Sequence, residues 1–78
     1  MSEPPDDAVR SVEAALFAAE SPMTLVEIAA ATEVAGVGLA LARLAQDYAG
    51  RGINLVERGG RWHFQTAPDL AYLLRRER

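Results

Sequence analysis

Apolar positions recur at helical spacing three times before residue 50 and then switch to alternation. From about Ala8 to Ala19, the residues Val9, Val12, Leu16 and Ala19 fall at i, i+3, i+7 and i+10, which predicts a first helix with one buried stripe. Phe17 points to one side of that stripe, so it either widens the core face or meets a partner. Asp6 or Asp7 can cap this helix. Ser21-Pro22 stops it, because a residue before proline is pushed out of the α region. The second helix carries the best start signal in the chain: Thr24 and Glu27 form a T-x-x-E capping box, and Met23 can staple onto Ile28 across the cap. Leu25, Ile28, Ala29 and Thr32 line its inner face. A third helix begins near Ala35 to Val37 with a weak cap and two glycines. Its stripe is Val37, Leu41, Leu44 and Tyr48, with Ala40 and Ala45 alongside. Gly50-Arg51-Gly52 closes it, the glycines supplying the left-handed backbone that ends helices.

From Ile53 to Thr66 the period becomes two, and Gly59-Gly60 reads as a two-residue hairpin turn of the primed type. In the register this turn imposes, Ile53 faces Thr66 and Arg58 faces Arg61. Ile53, Leu55, Glu57, Trp62, Phe64 and Thr66 then share one face, and Asn54, Val56, Arg58, Arg61, His63 and Gln65 the other. Four of the first six are large and apolar, so that face goes to the core. A last helix runs from about Ala67, with Thr66 and Asp69 as a second capping box and Leu70, Leu73 and Leu74 facing inward. Arg75, Arg76 and Arg78 fall in its last turn, where the helix dipole favours cations. The predicted fold is therefore α+β, a small winged helix-turn-helix: three helices, a two-stranded β-hairpin wing and a closing C-terminal helix. Residues 1–7 (MSEPPDD) read as a disordered lead-in, and residues 8–78 as the domain.

Composition narrows the function. Half of the 78 residues are apolar, but 15 of those are alanine, so the core is thin and a partner or neighbouring domain is expected. There is no cysteine, which excludes disulfides and Cys-based zinc sites. Eight arginines and no lysine stand against eleven acids, a net charge of −3, so the global basic field of most autonomous nucleic-acid binders is missing. No apolar run reaches the roughly 18 residues of a membrane span, and the acidic start is unlike a secretory n-region. A cytoplasmic location is the expectation, with no membrane partner.

Candidate chemistry is sparse. One histidine and scattered surface acids give no converging acid, base, nucleophile or metal set, so no enzyme, cofactor or small-molecule substrate is expected. His63, on the outer hairpin face, reads as a solvated strand histidine, because no carboxylate or second histidine stands at ligand spacing. Gly59-Gly60 lacks the helix, lysine and Ser/Thr of a phosphate loop and reads as a turn. A nucleic-acid role would use Arg43 on the third helix with Arg51, Arg58 and Arg61 clustered near the wing. The remaining outer face of that helix (Gly38, Leu39, Ala42, Gln46 and Asp47) offers one amide and an acid that would face phosphates. Phe17, Leu39, Val56 and His63 are left outside the best core assignment and are candidates for a protein interface, the apolar ones among them because exposed apolar clusters mark protein contacts.

Three strings, EAALFAAESPMTLVEIA (Glu13 to Ala29), YAGRGINLVERGGRWHFQT (Tyr48 to Thr66) and APDLAYLLRR (Ala67 to Arg76), resemble segregation and condensation protein B (ScpB). The resemblance covers Val9 to Arg76 and matches the amino-terminal winged-helix half of that family. Helix 3 departs from it, with Ala35-Gly36-Val37-Gly38-Leu39-Ala40 where the family has a run of acids. The resemblance implies a non-catalytic adaptor subunit of the bacterial SMC condensin, acting in chromosome condensation and segregation. It further implies a homodimer, binding to the kleisin ScpA and through it association with the SMC ATPase. The family's second winged helix is expected to be absent, the resemblance reaching only its amino-terminal half. The alternative is a small winged-helix DNA-binding regulator.

Overall fold

In a computed structural model that describes residues 5–75, the elements follow the order α1 (Asp6–Ala18), β1 (Met23–Thr24), α2 (Leu25–Thr32), α3 (Val37–Tyr48), β2 (Ile53–Arg58), β3 (Arg61–Thr66) and a closing 3-10 helix (Pro68–Arg75). The fold is the α+β winged helix the pattern predicts. Helix α1 starts two residues earlier than expected. Asp6 and Asp7 lie in its first turn and favour the dipole there, while Pro5 occupies the N-cap without a side-chain bond. The first four residues of the lead-in, and Arg76 and Arg78 of the last turn, lie outside the described residues.

Val12, Ile28 and Leu41 are fully buried and Leu44 nearly so, joined by Val9, Leu16, Val37, Ala40 and Leu55. These are the stripes of α1, α2 and α3 meeting the inner face of the hairpin. Half-buried Met23, Tyr48, Trp62 and Phe64 pack around them. The α2 capping box forms: the Glu27 amide donates to Thr24 Oγ1 at 3.1 Å, and the Thr24 amide donates to Glu27 Oε1 at 2.9 Å. Thr32 Oγ1 donates to the Ile28 carbonyl and accepts from the Val34 amide, so the helix leaves few loose groups at its exit.

The sheet has three strands in the order β1-β3-β2, one more than the pattern predicts. Met23 pairs with Trp62 and Thr24 with Arg61, so the residue that caps α2 and the one before it also form an edge strand. The hairpin register is as expected, from Ile53 opposite Thr66 to Arg58 opposite Arg61, and Gly59 and Gly60 both take positive φ, as a type I′ turn demands. The Gly60 amide donates to Glu57 Oε2 at 2.7 Å across that turn.

Several side chains depart from their expected places. Leu25 is exposed, because the first turn of α2 rises beside β1 rather than over the core. Ile53 is 41% exposed at the head of β2, an edge strand, although it belongs to the inner face. Of the two glycines after α3 only Gly50 is left-handed. Thr66 and Asp69 form no capping bond, and the Leu70 amide instead bonds the Ala67 carbonyl at 2.9 Å in a 3-10 turn. That tighter helix, three residues per turn, leaves Leu70 half-buried but Leu73 and Leu74 exposed, where a 3.6-residue period placed all three inward.

Candidate functional site

Surface apolar groups gather at the C-terminal end of α1. Phe17, 81% exposed, stands between two hollows. On one side Leu16, Pro22, His63 and Phe64 form a groove of about 260 Å³ with Phe17. On the other, Ala14, Tyr48, Ile53 and Phe64 form a second of about 330 Å³, rimmed by Arg10 and Glu13. Phe17 points away from the core because it sits off the Val9-Val12-Leu16 stripe.

His63 is not the solvated strand histidine of the sequence reading. It is half-buried, and its Nδ1 is shielded from solvent without a hydrogen-bond partner, because the turn before β1 runs alongside β3. Val56, its cross-strand partner, is also half-buried. Phe17 and His63 thus share a groove. Leu39 does not join them: 55% exposed, it lines a separate apolar hollow with Pro5, Ala8 and Val34 at the opposite end of α1. The linear pattern missed Ile53, whose position on the inner face masked its exposure.

The arginines do not converge. Arg43 Nε lies 3.1 Å from both carboxylate oxygens of Asp47, one helical turn away. Arg51 stacks over the Tyr48 ring at 5.4 Å. It precedes β2 whereas Arg58 ends that strand, a separation of about 20 Å in extended chain. The expected cluster of Arg51 with Arg58 and Arg61 is therefore not formed. Arg61 is held by Glu27 at 3.7 Å and by the Pro22 carbonyl at 3.4 Å, which lessens its repulsion from Arg58 opposite. Among the described residues no three acidic or histidine side chains come together to hold a metal ion, and no single helix is long and apolar enough to cross a membrane.

The Tyr48 hydroxyl donates to Glu13, tying α3 to α1. That hydrogen bond, then burial and the Glu13 charge, hold the Tyr48 phenol above its ordinary value, with Arg51 opposing. A raised folded-state value contributes stability that is present below pH about 10 and lost as pH rises through the folded value. Urea midpoints measured across that window should fall more steeply for the parent chain than for Tyr48→Phe. Parallel curves would remove the Glu13 bond from the account.

The family described as segregation and condensation complex subunit ScpB matches residues 10–77. The chain belongs to the ScpB family. A solved ScpB N-terminal domain, a dimer complexed with ScpA peptide, is 36% identical, with a TM-score of 0.78 over 90% of this chain and 86% of that one. ScpB from Mycobacterium tuberculosis is 30% identical with a TM-score of 0.82, and a conserved hypothetical protein from Chlorobium tepidum is 29% identical with a TM-score of 0.76. This chain spans 46% of each of those two longer chains. No curated protein matches. Membership in the ScpB family makes the chain a segregation and condensation complex subunit.

Proposed function

We propose that residues 8–78 are the amino-terminal winged-helix domain of a cytoplasmic, non-catalytic adaptor that pairs as a homodimer and binds the kleisin ScpA, and through it the SMC ATPase. The observation that carries this reading is the 36% identity, over nine-tenths of this chain, to an ScpB domain dimer complexed with ScpA peptide. The thin core and the exposed apolar groups around Phe17 support it, because such surface is ordinarily covered by a partner. Phe17, His63 and Val56 are the interface candidates on one side of the domain, and Leu39 on the other.

Direct DNA binding is weak or absent in this reading. Arg43 and Arg61 already face carboxylates, and eleven acids oppose eight arginines. Light scattering at about 0.1 mM should give the dimer mass, as an interface of about −8 kcal/mol (Kd near 1 μM) requires, and a ScpA-derived peptide should bind saturably. A monomer that ignores the peptide would overturn the proposal. Submicromolar affinity for duplex DNA at physiological salt, abolished by Arg58→Gln with Arg61→Gln, would establish the regulator instead.

A further inference from the structure

The C-terminal end of α1 carries negative potential that no cation of the described residues answers. A helix ends on carbonyls without intrahelical partners and on the negative pole of its dipole, where lysine and arginine are favoured. The last turn of α1 holds no basic residue, and at its cap the Ala19 amide bonds the Leu16 carbonyl. Glu20 follows directly, exposed, and among the described residues no ion pair engages it. In the same groove His63 Nδ1 has no donor, and Pro22 beside it has no amide hydrogen to give. Arg61, two residues before His63 on β3, is engaged elsewhere, by Glu27 at 3.7 Å and the Pro22 carbonyl at 3.4 Å. Glu27 offsets its charge, so Arg61 does not answer the end of α1.

The groove has the shape for a single side chain. Its volume of about 260 Å³ is below the roughly 300 to 1,000 Å³ of sites that enclose a whole small molecule. Leu16, Phe17, Pro22 and Phe64 wall it, so a methylene stem is covered and two aromatic rings stand where a planar cation can stack. The acceptors lie on separate elements: the Glu20 carboxylate, the last carbonyls of α1 and the imidazole on β3. A guanidinium carries five N–H donors spread over a rigid plane, whereas an ammonium offers three from one point. Charge and geometry together therefore select arginine over lysine and over any neutral side chain.

We propose that this groove seats an arginine side chain of a partner polypeptide, its stem along Phe17 and Phe64 and its guanidinium on the Glu20 carboxylate and the carbonyl end of α1. The His63 ring turns about its soft χ2 to accept one N–H. The inference goes beyond pairing and ScpA binding and depends on neither. Titration of the full chain with N-acetyl-arginine amide, followed by amide NMR, should give saturable shifts confined to the groove, with a Kd of about 1 mM. N-acetyl-citrulline amide, neutral and of nearly the same shape, should bind at least about tenfold more weakly, and the lysine amide about threefold more weakly. Glu20→Gln should erase the lead of arginine over citrulline while leaving far-UV dichroism unchanged, since the side chain is exposed. Phe17→Ala should weaken arginine binding about threefold by removing one stacking face.

Saturable arginine binding that loses its lead in Glu20→Gln supports the site and its occupant. The absence of saturable shifts, shifts away from the groove, or an equal response to citrulline overturns it. A Glu20→Gln chain of lower mass in light scattering, with all three amides bound alike, gives the groove to a second copy and overturns it as well.

Discussion

Replacing Leu41 by alanine is expected to remove about 2 to 5 kcal/mol of folding stability, a loss shared only by truncations at the centre of the core. Leu41 has no exposed surface and belongs to the cluster in which Val12, Ile28 and Leu44 join the three helices. The lost transfer energy of the deleted carbons adds to a cavity term, and the cavity is bounded by helices that cannot all collapse into it. A domain of this size holds only about 5 to 10 kcal/mol in total. The variant should therefore populate the unfolded state measurably at 37 °C. Urea unfolding followed by dichroism measures the loss, and a change below about 1 kcal/mol would mean that the helices close the gap.

Phe64→Ala should cost about 3 kcal/mol, the low end for a phenylalanine, because the ring is half-buried rather than enclosed. Its ring centroid lies 5.0 Å from that of Tyr48 at a tilt of 58°, a favourable aromatic geometry that adds to the apolar area lost. Phe64 also lines both hollows beside Phe17. The substitution should consequently weaken arginine binding in the groove as well as folding, whereas Leu41→Ala should affect that binding only through folding. If Phe64→Ala unfolds at the parental urea midpoint, the inner face of the sheet contributes little to the core.

The hairpin was legible to the residue because two constraints agree in it: consecutive glycines that need positive φ, and an alternation that fails if the register slips by one. The helical stripes were legible for the same reason, and Phe17 stood out by lying off one of them. Strand β1 was not legible. Two residues are too few for any period, and Met23 and Thr24 carry stronger signals for starting α2, a role that Thr24 keeps as its cap. The closing helix misled because its leucines suit a 3.6-residue period, while the backbone after Ala67 takes the tighter 3-10 turn. The site was half legible. Exposure of Phe17 and Leu39 follows from the pattern, but their placement at opposite ends of α1 depends on how α3 crosses it. The arginine cluster was an error of the same kind, since closeness in sequence along an extended strand is distance in space.

The pairing of β1 with β3 also sets a schedule for biosynthesis. Arg61 reaches the Pro22 carbonyl from 39 positions further along the chain, and β1 has no strand to join until that part of the hairpin exists. The hairpin itself zips in about 1 to 10 μs once its turn is made. A ribosome adding about 5 to 20 residues per second therefore spends roughly two to eight seconds between releasing β1 and releasing its mate. During those seconds α1 and α2 emerge with Leu16, Ile28 and Met23 uncovered, and this is the interval in which a chaperone or a protease competes for the nascent chain.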